Sequence, residues 1–399
     1  MLVISEKICK FVPDYDNILN IYNHKHYLMN RLTVNIFIPV LCTLLAGLLL
    51  TACSEDDAVT LDKPQGTVNV IIDTDLGNCT DDLFALQAAF ALRAKGACKI
   101  LGVMQDCGEE KCHRLADALM HYYKADDIPL GLVRSGNLHP VECTPYYEIA
   151  DLVGPDNTLL FPPTDIPLSQ RLSGMKLYRK LLSEAADGSV NIVCLGMLTN
   201  LGQLMDSEAD EYSSLSGMEL IQRKVKAVDI TGGCFSAVPL RYTDTSGNTQ
   251  FLDVEYNVGG DIPLAKKVIE QWPTPLHLYP LEAGMTFPSV HDKILQQYSW
   301  QPESPIYQTY SRYNEWEKGD VGQYLWDAVA TFHCILGEDY FSCTGSCTVH
   351  VDEEGHTTLV ASDKADSTDR TDRHIIGNGN SSYVALIWDK LEEISAYRP

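Results

Sequence analysis

The chain has 399 residues, with 30 Lys and Arg set against 54 Asp and Glu, a formal charge of −24. At 45 % hydrophobic and 9 % aromatic it can bury a core, which excludes wholesale disorder, and its length suits one large α/β domain or two ordinary ones. The acidic balance excludes sequence-independent nucleic-acid binding, which needs basic side chains to displace counterions.

Residues 36–50 (IFIPVLCTLLAGLLL) are apolar apart from a single Thr, preceded by Met29-Asn30-Arg31 and followed by Thr51-Ala52-Cys53. A basic start, a short apolar run and small residues make a signal peptide, and the run is too short for a comfortable membrane span. Leu50-Thr51-Ala52-Cys53 resembles the bacterial lipobox, in which the Cys thiol is lipidated and becomes the new N-terminus. The expectation is a leader over 1–52, with 29–52 the true signal and 1–28 an upstream extension, because Met29 begins a complete signal by itself. The lipidated Cys53 and a polar linker over 53–66 follow, then one domain over 67–399. An uncleaved anchor helix fits less well, since polar Ser54-Glu55-Asp56-Asp57 follows the run at once. The chain is expected to be an exported, membrane-anchored lipoprotein at the outer membrane, cell surface or periplasmic face.

Beyond the linker, residues 68–72 (VNVII) form a short apolar strand ending in Asp73-Thr74-Asp75 and Gly77, and Asp82 opens an apolar helix. Residues 99–105 make a second strand, followed by a helix with apolar spacing at Leu115, Ala116, Leu119 and Tyr122-Tyr123. Residues 128–133 make a third. Residues 190–195 (VNIVCL) run through Gly196 into a helix over about 198–205, and residues 226–231 end in Gly232-Gly233. Asp261 starts a helix, residues 276–279 form a further strand, and WDAVATFHCIL is an apolar helix carrying one carboxylate, Asp327. Strands alternating with helices predict an α/β fold, a mainly parallel Rossmann-like sheet flanked by helices, with its ligand beyond the carboxyl ends of the strands.

Ten cysteines follow Cys53, and most sit in apolar runs as small core residues. A zinc site built from Cys107, Cys112, Cys343 and Cys347 lacks the usual C-x2-C spacing.

Asp73, Asp75, Asp81 and Asp82 crowd a strand end and the next helix start. One of them suffices to cap a helix. Four converging carboxylates raise one another's pKa unless a cation neutralises them, and an all-oxygen set suits Ca2+ or Mg2+ rather than zinc. A solvated, capped loop is the alternative.

VIIDTDLGNCTDDLFAL resembles the N-terminal signature DxDxGxDDxxAL of the inosine/uridine-type nucleoside hydrolases, with two extra residues between Gly77 and Asp81. Gly196-Met197-Leu198-Thr199-Asn200-Leu201 resembles that family's G-x-L-T-N-[IL] turn. Glu255-Tyr256-Asn257-Val258 with Asp261 resembles its E-F-N-I-x-x-D segment, and Gly232-Gly233 its M-G-G strand end. Trp326-Asp327-Ala328 followed by Ala330 resembles the C-terminal segment bearing the last metal ligand, and all these pieces come in family order.

The resemblance implies a Ca2+ at the floor of a ribose pocket, ligated by Asp75, Asp82, Asp327 and a backbone carbonyl near Leu195, with Asp73 orienting its neighbours. Asp75 would take the proton of the attacking water, and Asp81, Asn248, Glu255 and Asn257 would grip the ribose hydroxyls. The implied reaction is hydrolysis of a ribonucleoside or related N-riboside to ribose and free base; the implied assembly is a homo-dimer or homo-tetramer. Read without the family, Asn257 and Asp261 could both be helix-start residues, and Asn200 could cap the helix after Thr199.

Three departures bear on activity. Asn78-Cys79-Thr80 lengthens the metal loop; where typical members carry a ribose-touching Asn the second strand runs on through Asp106 to Glu109, so that Asp106 or Glu109 substitutes or the contact is lost; and Trp326 replaces the His that many members use to protonate the leaving base. Stacking by Trp326, or His139, Tyr146 and Tyr147, are candidates for base activation. Two rival functions follow: a lipid-anchored ribose- or glycan-binding protein without turnover, and a phosphatase of the haloacid-dehalogenase type, which leaves Asp81 and Asp82 unexplained.

Overall fold

A computed structural model describes residues 66–399 apart from 78, 139–145, 238, 244–248, 286–290, 317–323, 338–342, 361–368, 378–387, 391 and 395. The signal, Cys53, the linker up to residue 65, His139 and Asn248 therefore lie outside the described residues. Among those described, no helix is long and apolar enough to cross a membrane.

Seven parallel strands form the central sheet: β1 (Val68–Thr74), β2 (Cys98–Gln105), β3 (Leu130–Leu132), β4 (Val190–Cys194), β5 (Val225–Thr231), β8 (Leu276–Tyr279) and β11 (Arg373–Ile375). Two small antiparallel hairpins, β6 (Leu240–Thr243) with β7 (Thr249–Leu252) and β9 (Thr348–Val351) with β10 (Thr357–Val360), lie outside it. The order across the sheet is β11-β8-β5-β4-β1-β2-β3. The chain steps outward from β1 to β3 and then returns to lay β4 on the other side of β1. That reversal opens a crevice beyond the carboxyl ends of β1 and β4, where ligands bind in such sheets.

Strand β1 is central and covered on both faces, so it reads as a nearly unbroken β-branched run with Val70, Ile71 and Ile72 all buried. One face carries α1 (Asp81–Ala94), α2 (Glu110–Tyr122) and the late helix over Trp326–Leu336; the other carries α3 (Gly174–Glu184), α4 (Thr199–Asp206), α5 (Gly217–Lys224) and, beyond the short α6 (Tyr256–Gly260), α7 (Ile262–Gln271). Then come α8 (Leu281–Gly284), α9 (His291–Tyr298), α10 (Pro305–Trp316) and α11 (Trp326–Leu336). Ala85, Ala88 and Ala89 of α1 meet Ala328 and Ala330 of α11 in one core, and these small side chains let the two helices pack closely.

The strands predicted from sequence appear within two residues of their expected ends. Strand β11 does not follow from the sequence pattern: it is short, and it buries Arg373, whose guanidinium donates to the carbonyls of Ile269 and Trp272. The four-cysteine zinc grouping is not assembled. Cys107 follows β2 near one edge of the sheet, whereas Cys347 hydrogen-bonds along β11 at the opposite edge.

Candidate active site

The turn leaving β1 is fixed by its own backbone. Gly77 has φ +113°, a conformation favouring glycine, and a Cβ there would meet Cys112 Sγ at 2.5 Å. Its N–H donates to the Tyr146 hydroxyl (2.6 Å), and the Leu76 carbonyl accepts from Gln105 Nε2 (2.7 Å). Tyr146 thus braces the loop, while Tyr147 lies under the Lys111 ammonium. The short path from Asp75 through this turn into α1 brings Asp81 and Asp82 back beside it.

Asp327, remote in the chain, closes the group from the first turn of α11. Its backbone N–H donates to Asp81 Oδ2 (3.3 Å), and carboxylate oxygens of Asp81, Asp82 and Asp327 all lie within 4.8 Å of one another. Asp73, Asp75, Asp81, Asp82 and Asp327 are all buried. Thr74 Oγ1 donates to Asp82 Oδ1, while Asp82 Oδ2 has no hydrogen-bond partner. Burial, reinforced by repulsion from Asp75, raises Asp81 to about 7. Burial and the charges of their acidic neighbours push Asp82 and Asp327 well above the ordinary carboxylate range. Oxygen donors only, an orphaned carboxylate oxygen and mutual repulsion fit a hard divalent cation.

Asp73 faces the other way. Its carboxylate accepts from the Tyr178 hydroxyl (2.9 Å) and from Asn200 Nδ2 (3.1 Å), which fixes the end of β1; burial, opposed by these bonds, raises it to about 7. Asn200 therefore serves Asp73 and does not cap α4. Asp261 sits at the N-cap position of α7, as a helix-start residue would, but its side chain makes no capping bond and accepts from Thr199 Oγ1 (2.7 Å) instead.

The opposite wall is built by β5 and α6. Glu255 caps α6, accepting from the N–H groups of Asn257, Val258 and Gly233, and burial raises it to about 7. The Asn257 amide donates to the carbonyls of Leu195 (2.8 Å) and Thr231 (3.0 Å), tying the ends of β4 and β5. The Leu195 carbonyl expected to serve a metal thus already carries a protein partner. Gly196 is required here, because a Cβ would lie 2.7 Å from Asp75 N and 2.8 Å from Asp106 Oδ1.

Of the two acidic candidates at the end of β2, Asp106 lies near Asp73 and Asp75. It is fully buried, neither of its oxygens has a partner, and burial with repulsion from Asp73 and Asp75 pushes its carboxyl well up. Glu109 instead stands at the N-cap of α2. Trp326 is half-buried beside Asp327, its indole N–H spent on the Leu281 carbonyl (2.9 Å) and its ring packed over Gly284. Asp106 and the bracing residues Tyr146 and Tyr178 carry no local sequence signal stronger than their residue type.

A family model of the inosine-uridine preferring nucleoside hydrolases matches residues 70–383. No curated protein matches the chain. Among solved structures, an inosine-guanosine nucleoside hydrolase superposes with a TM-score of 0.60 at 20 % identity, over 82 % of this chain and 99 % of that one. The inosine-uridine preferring nucleoside hydrolase of Bacillus anthracis gives 0.59 at 15 % identity, over 82 % and 100 %. A purine-preferring ribonucleoside hydrolase from Gardnerella vaginalis gives 0.58 at 14 % identity, over 82 % and 99 %.

Proposed function

The chain belongs to the inosine-uridine preferring nucleoside hydrolase family, a metal-dependent family, and from that premise we propose that it hydrolyses the N-glycosidic bond of a ribonucleoside or related N-riboside, releasing ribose and free base. The observation that carries this reading is the meeting of Asp327 with Asp81 and Asp82 around an unpartnered Asp82 oxygen, beside Asp75. Ca2+ is the proposed ion, held by Asp75, Asp82, Asp327 and the Leu195 carbonyl once Asn257 turns from that carbonyl. When bound, such an ion lowers the pKa of a coordinated water and so supplies a nucleophile at neutral pH.

The chain's own residues divide the remaining work. Asp75 takes the proton of the attacking water, while Asp73, held by Tyr178 and Asn200, keeps the end of β1 in place. Asp81, Glu255 and Asn257 offer polar groups to the ribose hydroxyls, with Asn248 proposed to join them. A pocket built for those hydroxyls disfavours deoxyribose, because a missing OH strands buried partners. Asp106 adds a further acceptor where typical members have Asn.

One observation favours the rival reading of a binding protein without turnover. The Trp326 indole N–H, standing where many members carry a proton-donating His, is engaged with the Leu281 carbonyl. A screen of inosine, uridine and other ribosides for base release, with Ca2+ titrated by calorimetry alongside, separates the two. Turnover abolished by Asp75→Ala and Asp82→Ala supports the enzyme; Ca2+-dependent riboside binding without release supports the binder. Equal slow release by wild type and both variants refutes the catalytic assignment. Export, lipidation at Cys53 and membrane anchoring complete the proposal, and mass spectrometry of the mature N-terminus tests them.

A further inference from the structure

A second buried cluster lies apart from the carboxylates. Asp229 on β5, His277 on β8 and His333 on α11 bring one carboxylate oxygen and two imidazole nitrogens within 4.8 Å of one another. They are 2 %, 8 % and 3 % exposed, so this is an interior group and not a surface coincidence. His333 stands six residues beyond Asp327 on the same helix, about 9 Å along its axis, which separates the two clusters.

The geometry crowds one atom. Asp229 Oδ1 accepts from the Tyr279 hydroxyl at 2.9 Å and pairs with His333 Nδ1 at 2.8 Å, and His277 Nδ1 stands 3.2 Å from the same oxygen. A cation seated between the oxygen and the two Nδ1 atoms fits these separations, since ligands about 2.0 Å from a tetrahedral ion are about 3.3 Å apart. The Tyr279 hydroxyl would then orient the carboxylate from outside the coordination shell. Toward the sheet edge, the half-buried His374 ring on β11 lies 5.4 Å from that of His277. Hydrogen bonding and charge from the two imidazoles hold Asp229 well below the ordinary carboxylate range despite its burial.

We propose that Asp229, His277 and His333 form a zinc-type site, distinct from the carboxylate cluster, which takes a borderline divalent ion such as Zn2+ and ties β5, β8 and α11 together. Nitrogen and oxygen donors in this ratio suit Zn2+ or Co2+, whereas the all-oxygen cluster suits a hard ion, so the two sites are separable by metal.

The test uses the full chain stripped with a chelator and titrated with Co2+ alone. Wild type and Asp75→Asn are expected to develop the strong visible bands of a low-coordinate nitrogen-ligated Co2+, bleached by stoichiometric Zn2+. His277→Gln is expected to weaken that uptake at least tenfold. Only faint octahedral bands in wild type, bands that persist in His277→Gln, or bands lost in Asp75→Asn would each overturn the proposal. If His277→Gln does not fold, the wild-type spectrum decides, and the absence of bands leaves the group an imidazolium–carboxylate network.

Discussion

Tyr178→Phe removes one oxygen from a buried side chain on α3 and tests how the far end of β1 is held. The lost bond is the 2.9 Å donation from the Tyr178 hydroxyl to Asp73 Oδ2, between two fully buried groups. Phe fills the same space, so the expected cost is that of the bond, about 1 kcal/mol when the carboxyl is neutral and about 1.5–3 kcal/mol when it is ionised. Asp73 titrates at about 7 and the phenol favours its charged form, so the variant pushes that value higher still. The destabilisation therefore grows as pH rises through 7. Urea unfolding of the chelator-treated protein at about pH 6 and about pH 8, compared with wild type, reads the difference directly. Because Asp73 orients the turn bearing Asp75, base release is expected to fall about 10- to 100-fold, as when other groups behind a metal ligand are removed. A cost below about 0.5 kcal/mol at both pH values, or a larger cost at the lower one, refutes the assignment.

Three further outcomes are expected. Asp327→Asn should abolish both Ca2+-dependent stabilisation and base release, read by calorimetry and a base-release assay, because it removes the one ligand that links α11 to the turn after β1. Glu255 is raised from its ordinary 4.5 to about 7, so its contribution, about 3 kcal/mol, is present below about pH 4.5 and lost as pH rises through 7; metal-free protein should weaken over that window in urea titrations, joined by Asp73 and Asp81, and Ca2+ should restore most of the loss at the high end. Gly196→Ala should fold less stably and lose activity, since its Cβ drives into the Asp75 backbone and the Asp106 carboxylate; unchanged kinetics would mean the β4 end is slack.

The sheet was legible because parallel strands covered on both faces read as short apolar runs, and 68–72, 99–105 and 190–195 are such runs. Strand β11 was not: three residues with a buried Arg carry no such pattern, and only the partners at Ile269 and Trp272 explain it. The acidic loop was visible as four carboxylates in a short stretch, and Asp327 as a charge on an apolar helix. What those carboxylates touch was not visible. Asn200 looked like a helix cap and instead holds Asp73, while Glu255 looked like a ligand for sugar and also caps α6 through the two N–H groups of Asn257 and Val258. Tyr178, Asp229, His277 and His333 stand singly on separate elements, so no window of sequence brings them together.

The contrast between the two buried acid clusters says how this core is balanced. At Asp229 the surrounding charge is positive or neutral, two imidazoles and a phenol, and the carboxylate is held low. At Asp82, Asp106 and Asp327 the strongest charges acting are those of other acids, and each is pushed up. Folding such a group without compensation costs stability that the apolar packing of α1 against α11 must offset. That packing brings Asp81 and Asp82 against Asp327, and an ion held there would relieve their repulsion. The same coupling makes cation binding a test of tertiary structure: an ion that neutralises residues on α1 and α11 together must raise the free energy needed to separate those helices.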